Sequence, residues 1–487
     1  MKKNIDYQLP LMLPFPTVYG PKEYTELRDT LIHMNTLLDE SHLEIELIVA
    51  DLEKYDIDDP SPHDIENRRK MIRCSILKVL SGLDYREFSI RLAESELYQW
   101  FARYNRVGKI KTPSKSTLER FCKHFEFEQI RCAIDSLNKF MSKKENAQKF
   151  LDEEAIYCDA IFADSTCVKA HIHFPVDWVL LRDTVRTLTK AIICIRNQGF
   201  KHRMPPPEDF ISTINSLCMQ MSSSRRKQDV QKKRKQIFRK MKKVSKTIEL
   251  HARRYYDLLS KNWEVTDWSY KQTQVVLKRI QNILDKLPQA TRQAHERIIG
   301  ERKVKTADKL LSMYEDDIHV IVRGKADAEV EFGNGLYLAE QENGIIVDFD
   351  FFQDQPPNDS SIVKSSIERI TATFGKPIVF TTDRGFSSKK NSDYLEEKNI
   401  YNGMCPRSVS ELRSRLRDDE FVFYQRRRAQ TEGRIGIFKN VYLRNPLRCK
   451  GFTSRRKFIA LGVFTHNLWR FSCMAREAEY ERLKAAA

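Results

Sequence analysis

The sequence has no pair of cysteines at C-x-x-C spacing, and none of its 10 cysteines lies near histidines at zinc-finger intervals. A structural zinc site is therefore not expected. Single cysteines among apolar residues are more typical of buried thiols in a reducing cytoplasm. The sequence also lacks an apolar run of about 18 residues, so no membrane-spanning segment is predicted. Its first residues do not have the pattern of a signal peptide.

Acidic residues are too few to balance the basic ones. The 487 residues include 84 Lys and Arg against 67 Asp and Glu, which gives a net charge of +17. Such a surplus attracts polyanions, and nucleic acid is the usual one, although ribosomal and membrane-surface proteins are basic as well. The hydrophobic fraction of 41% is enough for sizeable cores. The length predicts roughly two to four domains.

In the N-terminal region, apolar residues recur at intervals of three and four between residues 64 and 127, which predicts short helices. A helix is predicted to begin at Ser114 or Ser116, and Ser116 and Glu119 have the spacing of a capping box. The connection before that helix carries several cations: Arg103, Arg106, Lys109, Lys111 and Lys115. Short helices around a basic connection indicate a helix-turn-helix-like DNA-binding domain. An ordinary helical bundle with a solvated basic loop is the alternative.

A long segment, residues 176–315, is predicted to be almost entirely helical. Within it, residues 225–246 are dense in Lys and Arg and contain one acid, Asp229. Such a run is often a solvated helix. Because apolar residues recur in it at helical intervals, it also fits an amphipathic helix that binds DNA phosphates without reading the sequence.

Strand-like segments lie on both sides of this helical segment. The first covers residues 156–164, and residues 168–173 could continue it after a kink. Afterwards the patterns predict strands at 318–322, 329–332, 336–339, 345–349, 377–382, 400–404 and 420–424, and helices at 359–374, 389–398, 426–440 and 457–474. Adjacent strands followed by strand–helix alternation predict a mixed α/β fold, in which helices flank a mixed sheet.

Three acidic residues lie where these predicted elements end or turn. Asp164 ends the first strand, Asp383 follows the apolar strand before it, and Glu432 lies on the helix after the last strand. An acid at the carboxyl edge of a sheet is placed for ligands, because the chain ends there form a crevice. Phosphodiester cleavage needs an activated water and a stabilised leaving oxygen, and two Mg²⁺ ions held by carboxylates provide both. These acids are therefore the candidate metal ligands.

Other acids near predicted strand ends are less suited to this role. Asp159 precedes Asp164 by five residues, so strict alternation directs it to the opposite face, and it is expected to be structural. Asp348 and Asp350 are expected to face solvent, with a supporting role beside the site as the alternative.

The predicted helix around Glu432 adds two cations. Arg428 and Lys439 are 4 residues before and 7 residues after Glu432, so the three share one helical face. An acid between two cations suits a DNA phosphate beside a metal, whereas an exposed helix with routine ion pairs is the alternative. Gly433 and Gly436 cost a helix about 1 kcal/mol each relative to Ala, and close approach of another backbone, either that of the sheet or that of DNA, would explain them.

The order of strand, strand and helix bearing these acids resembles that of the DDE transposases of bacterial insertion sequences, which have a ribonuclease H-like core. The resemblance is carried by Ala163–Thr166, Thr381–Phe386 and Arg428–Lys439. Residues 83–101 and 113–118 also resemble the domain that precedes such cores. The family's helix signature of tyrosine, arginine, glutamate and lysine is matched except at the tyrosine, where Gln425 stands beside Tyr424.

This resemblance implies a transposase that cleaves transposon ends with Mg²⁺, for which Mn²⁺ can substitute, and transfers the freed 3′ ends into target DNA. The implied residues are Asp164, Asp383 and Glu432 for metal binding and catalysis, and Arg428, Lys439, Arg434 and Arg384 for DNA binding. The implied partners are double-stranded DNA and further copies of the chain, as a dimer or larger synaptic complex, with no membrane. The expected location is the nucleoid in a prokaryotic cytoplasm.

The predicted organisation has four parts. They are an N-terminal helical DNA-binding domain (1–150), a split ribonuclease H-like catalytic domain (151–175 and 316–475), a basic helical insertion (176–315) and a tail (476–487). Two other functions stay open: a related DNA endonuclease without strand transfer, and a DNA-binding regulator on a catalytically silent transposase scaffold. The presence of all three acids argues against the regulator.

Overall fold

The chain folds into two compact units. The computed structural model describes residues 14–105, 108–152, 158–223, 230–305, 308–325 and 328–486. Unit 1 comprises residues 1–170 and 334–487, and unit 2 comprises residues 171–333. Unit 1 is therefore assembled from two segments of the chain, and unit 2 is inserted between them.

Helices form the N-terminal part of unit 1. They are α1 (Lys22–Glu40), α2 (Leu43–Lys54), α3 (Pro62–Ser81), α4 (Tyr85–Glu94), α5 (Glu96–Phe101), α6 (Lys115–His124), α7 (Phe127–Ser142) and α8 (Lys144–Leu151). Ser61 and Asp84 begin α3 and α4 with reciprocal capping boxes. The cap of α6 is Ser114. The predicted start at Ser114 is therefore confirmed. The capping box at Ser116 is wrong, because Ser116 lies inside the helix and Glu119 accepts a hydrogen bond from Lys123 instead.

The basic connection between α5 and α6 keeps only some of its cations exposed. Lys109, Lys111 and Lys115 are exposed. Arg103 is buried, and its Nε donates to a glutamate of α3 at 3.0 Å. Arg106 lies outside the described residues. DNA binding by this segment stays a prediction, with the three lysines as its accessible cations.

The described strands are β1 (Ala160–Lys169), β2 (His319–Lys325), β3 (Ala328–Gln341), β4 (Ile346–Phe351), β5 (Val379–Thr381) and β6 (Tyr401–Asn402). In unit 1, β3 pairs with β4 in antiparallel orientation, and β1 lies between β3 and β5. The pairs β1–β5 and β5–β6 are parallel. The sheet is thus mixed, as predicted.

Unit 2 is mostly helical. Its helices are α9 (Asp177–Arg196), α10 (Pro207–Ser223), α11 (Val230–Asn262) and α12 (Tyr270–Ile298), which enclose one hydrophobic core. It also contains β2, which forms an antiparallel pair with the first part of β3.

Five further helices complete unit 1: α13 (Asp359–Phe374), α14 (Lys389–Glu397), α15 (Val409–Arg415), α16 (Asp419–Ile437) and α17 (Phe452–Ala486) among the described residues. Side chains of β1 alternate between two faces of the sheet. Ile161 and Ala163 pack into a core with α13 and α14, whereas Phe162 lies on the opposite face near Tyr424 of α16. Because helices cover both faces, the predicted mixed α/β class with flanking helices is confirmed.

A buried carboxylate of the sheet connects it to two helices. Asp348 on β4 is 1% exposed and forms ion pairs with Arg131 of α7 at 2.5 Å and Arg369 of α13 at 2.8 Å. Ser366 also donates to it. The expectation that Asp348 faces solvent is wrong, because helices cover both sides of β4. The side chain of Asp350, two residues on, is 45% exposed.

Several predicted elements differ from the observed ones. β1 continues without a kink to Lys169, so Asp164 lies inside a strand rather than at its end. The strands predicted at 329–332 and 336–339 are one strand, β3. The strand predicted at 420–424 is wrong: this segment is the first turn and a half of α16, which Asp418 caps by accepting two backbone hydrogen bonds.

Of the two backbones expected to approach the glycines of α16, the sheet does not do so, and an approach by DNA stays a prediction. A Cβ built on Gly433 or Gly436 would meet no atom within 4 Å in the described residues. No neighbouring backbone of the described chain therefore requires glycine at these positions.

The cysteines are all free thiols. Cys74, Cys122, Cys167 and Cys218 are buried, but Cys132 and Cys194 are exposed, so burial is not general. Among the described residues, no helix has the length and apolar character needed to cross a membrane.

Candidate active site

The parallel pairing of β1 and β5 brings two aspartates together. Ala160 lies opposite Val379, and Phe162 lies opposite Thr381. Continuing this register by two residues sets Asp164 opposite Asp383, just beyond the end of β5. Neighbouring strands are about 4.8 Å apart, and residues two apart on a strand share a face. The two carboxylates therefore lie side by side on the face that also bears Phe162.

Helix α16 runs along this face of β1. The guanidinium of Arg427 lies 4.6 Å from the ring centroid of Phe162. Further along, Lys439 Nζ donates to Thr166 Oγ1 at 3.0 Å. Lys439 belongs to a π-helical turn, Phe438–Tyr442, that continues α16. Asp164 lies between these two anchoring contacts on the strand, so the middle of the helix faces it.

Burial and nearby charged groups shift the pKa of Asp164. Burial raises the pKa of Asp164 to about 6, and the neighbouring carboxylate of Asp383 and, more weakly, that of Glu432 also raise this pKa. The Ser165 N–H, 2.7 Å from Asp164 Oδ1, and the Arg428 guanidinium lower it. The structure thus brings together the three predicted acids and one predicted cation. Their negative charges outnumber the positive one.

The loop after β5 holds Asp383 in place. The Gly385 N–H donates to Asp383 Oδ1 at 2.8 Å. A Cβ on Gly385 would lie 2.7 Å from Asp359 Oδ2 and 3.1 Å from Asp383 Oδ1, so a larger residue would displace both carboxylates. The guanidinium of Arg407 donates to the carbonyl oxygens of Arg384 and Gly385, at 3.1 and 2.8 Å. The side chain of Arg384 itself is exposed.

Gln425 connects α16 to the ends of two strands. Its Nε2 donates to the carbonyl oxygens of Thr382, at 3.1 Å, and Gly403, at 2.6 Å. Its Oε1 accepts from Arg428 Nε at 3.3 Å. In the sequence, Gln425 stands out only as a departure from a tyrosine position, and this role was not predicted. The signal was present, since an amide offers both a donor and an acceptor.

Arg434 is not brought to the acids by the contacts seen in the structure. Its Nη1 donates to the carbonyl oxygen of Glu342 at 3.0 Å and lies 3.4 Å from Glu340 Oε1. Arg427 contacts the same two residues. These contacts hold α16 to the end of β3 and the loop after it, and DNA binding by Arg434 stays a prediction.

The donor set suits a hard divalent cation, although no closed metal cage is formed. Within the described residues, no three His, Cys, Asp or Glu side chains are arranged to hold a metal ion. Mg²⁺ is usually bound through one or two carboxylates together with waters and substrate phosphates, and it takes oxygen ligands. The adjacent Asp164 and Asp383 carboxylates fit such a site, and a cation there would offset their mutual repulsion.

Part of unit 1 is similar to a known protein family. Residues 337–468 match the transposase DDE domain family. This part of unit 1 is therefore similar to a transposase DDE domain. The matched range includes Asp383 and Glu432, whereas Asp164 on β1 precedes it. No curated protein and no solved structure matches the chain.

The architecture of unit 1 is consistent with this similarity. Its mixed sheet with flanking helices is consistent with a ribonuclease H-like transposase domain, joined to a helical N-terminal region. The match supports a DDE transposase, an enzyme class that cuts and moves DNA and generally depends on divalent metals.

Proposed function

We propose that the protein is the transposase of a bacterial insertion sequence, which cleaves the ends of its element and joins them to target DNA. The observation that carries this proposal is the β1–β5 register, which sets Asp164 beside Asp383 under the helix that bears Glu432. Carboxylates concentrated at a sheet edge suit metal-dependent phosphodiester chemistry. The DDE domain match supports the same function.

In this proposal, Asp164 and Asp383 hold the divalent cation, Mg²⁺ or in its place Mn²⁺, and Glu432 completes the site. The bound metal would supply an activated water and stabilise the leaving oxygen. The attack of water on phosphorus breaks the bond to the 3′ oxygen and leaves a 3′-hydroxyl and a 5′-phosphate. The same residues would then orient that hydroxyl against a phosphodiester of target DNA.

Two cations on the same side of α16 would hold the DNA. The Arg428 guanidinium lowers the pKa of Asp164, and its Nε donates a hydrogen bond to Gln425 Oε1. Lys439 reaches β1 two residues beyond Asp164, at Thr166. Phosphate oxygens between these cations would lie next to the carboxylates, and Arg384 on the exposed loop would add a further contact.

The proposed function also gives roles to the N-terminal region and to further copies of the chain. Residues 1–150 would bind the element's terminal sequence, with Lys109, Lys111 and Lys115 exposed for phosphate contacts. A dimer or larger complex would hold both ends of the element, in the prokaryotic nucleoid.

The test is cleavage of duplex DNA that carries the sequences flanking the gene, with Mg²⁺, with Mn²⁺ and with EDTA. Asp164→Asn, Asp383→Asn and Glu432→Gln should each lower cleavage by about 100-fold or more, because several kcal/mol of transition-state stabilisation are lost. The exposed Asp159→Asn, at the start of β1, and Glu420→Gln, on the first turn of α16, are matched controls that should cleave normally. Binding of Mn²⁺, followed by its electron paramagnetic resonance spectrum, provides a readout independent of activity.

The outcomes separate the alternatives. Cleavage and joining by wild type and controls alone would support the proposal. Cleavage without joining would identify an endonuclease. DNA binding without cleavage by the wild-type protein would identify a regulator, and undiminished cleavage by a triad variant would show that these acids were wrongly chosen.

A further inference from the structure

Helix α11 of unit 2 has one buried and one solvent-facing side. Ile237, Met241, Ile248, Ala252 and Tyr255 are among the residues that it contributes to the core of the unit. On the opposite side, exposed residues recur at intervals of 4, 3, 4 and 3: Lys232, Gln236, Arg239, Lys243 and Lys246. The intervals match the helical repeat, so these residues form one stripe along the helix. Four of the five are cations.

More lysines flank the stripe, and acids are missing from it. Lys233, Lys240 and Lys242 are exposed beside it. The sequence from Val230 to Ile248 contains no Asp or Glu. In the described part of the chain, no carboxylate lies within ion-pair distance of the cations of the stripe or of these three lysines. Lys235, also in the first half of α11, pairs with Glu301 at 2.6 Å. The stripe and its three flanking lysines therefore form a cationic surface without ion pairs among the described residues.

Solubility alone does not explain this surface. Like charges four residues apart, as at Arg239 and Lys243 or at Lys242 and Lys246, destabilise a helix by about 0.2–0.5 kcal/mol per pair. The second half of α11 has the usual compensated pattern, with Arg253 paired to Glu249 at 2.9 Å. An anionic ligand would turn the repulsion in the first half into a favourable interaction.

The geometry points to duplex DNA as that ligand, and we infer that the cationic stripe of α11 binds its phosphate backbone without reading the sequence. The stripe from Lys232 to Lys246 is about 21 Å long at 1.5 Å per residue. Duplex DNA offers about one phosphate charge per 1.7 Å of its axis, so several phosphates lie within reach. A membrane surface fits less well, because such helices bury an apolar face in lipid, and the apolar face of α11 is already in the core.

This inference rests on the proposed function, since a transposase must hold duplex DNA outside the specific end sequences. Its test uses the full-length triple variant Arg239→Gln, Lys243→Gln, Lys246→Gln. The control is Lys271→Gln, Lys278→Gln, Arg279→Gln on α12, which removes the same residue types and charge from exposed positions of the same unit. Binding to a duplex of random sequence is measured by fluorescence anisotropy over a range of salt concentrations.

The α11 variant should bind about tenfold or more weakly near 0.1 M salt. The slope of log K against log salt should fall by roughly 2.7, which is 0.9 for each of three phosphate contacts. The control should keep the wild-type slope, because its three exposed residues belong to α12 and not to the stripe on α11. Thermal unfolding of both variants checks that the fold is intact.

Equal slopes for the wild type and both variants would overturn the inference. Binding to anionic lipid vesicles in preference to duplex would overturn it as well, as would a preference for RNA. Failure of the proposed function gives a different pattern. If the wild type does not cleave but the α11 variant loses duplex binding, transposition is refuted and the DNA-binding surface stands.

Discussion

Replacing Gln425 by Met tests whether the hydrogen bonds of one side chain position the candidate active site. Methionine has nearly the same length and shape but donates no hydrogen bond. Gln425→Met removes the amide donor to the carbonyl oxygens of Thr382 and Gly403 and the acceptor of Arg428 Nε, although the Cys405 N–H still donates to the Thr382 carbonyl oxygen. Each neutral hydrogen bond contributes about 1 kcal/mol net. Because Gln425 is only partly buried, water recovers part of this, and the expected loss of stability is about 1–2 kcal/mol.

The effect on cleavage should exceed the effect on folding. Thr382 directly precedes Asp383, and Arg428 lies one helical turn before Glu432, so the lost contacts join the elements that carry two of the acids. A displacement of about 1 Å between reacting groups can cost roughly 100-fold in rate. Gln425→Met should therefore reduce kcat by about 10–100-fold while leaving affinity for DNA within a few-fold.

Gln430→Met is the matched control, since the same exchange is made five residues along the same helix at an exposed position. It should change stability by less than about 0.5 kcal/mol and leave kcat unchanged. Single-turnover cleavage and urea unfolding of the three proteins measure both effects. If kcat of Gln425→Met equals that of the control although stability falls, the side chain only stabilises the fold and the positioning argument fails.

Three further substitutions test contacts around the site and the sheet. Gly385→Ala should displace the carboxylates of Asp359 and Asp383. Cleavage assays should then show a rate lower by about tenfold or more with DNA binding retained, and an unchanged rate would contradict this. Asp348→Ala leaves two arginines without their buried partner and should lower the free energy of unfolding by about 3 kcal/mol. The same change at the half-exposed Asp350 should cost about 0.5 kcal/mol or less. Hydrogen exchange at β4 measures both effects, and equal effects would refute the difference. Burial lowers the pKa of His466 to about 4, so unfolding takes up a proton below the ordinary pKa of about 6.5. Urea unfolding should therefore show stability that is full above about pH 6.5 and falls by about 3 kcal/mol towards pH 4, and His466→Gln should lose this dependence; an unchanged dependence in that variant would assign it to other groups.

Sequence patterns predicted a helix or strand correctly where the residues of that element alone determine its structure. Helix α13 has the predicted bounds, because its apolar residues repeat at helical spacing over a full element. The segment 420–424 was mispredicted as a strand because its aromatic and β-branched residues favour one locally. The Asp418 cap and the continuation into α16 outweigh that preference in the structure.

Sequence patterns did not predict the contacts between elements. Asp348 is charged and was expected in solvent, yet its partners come from α7 and α13, more than 200 residues before it and about 20 after it. Gln425 likewise acquires its role only when β5 and β6 end beside α16. In both cases the partner residues cannot be known before the packing of the helices on the sheet is known.

The arrangement of strands explains why the two aspartates can be so far apart in sequence. Asp164 and Asp383 are separated by 383 − 164 = 219 residues. Their proximity depends on the direct pairing of β1 with β5, whose register is set by residues 160–162 and 379–381. Unit 2 begins at residue 171 and ends at residue 333, so it contains neither of the paired segments. Its length and composition can therefore vary without changing the register, which leaves its surface, including the cationic stripe of α11, available for a function separate from the chemistry.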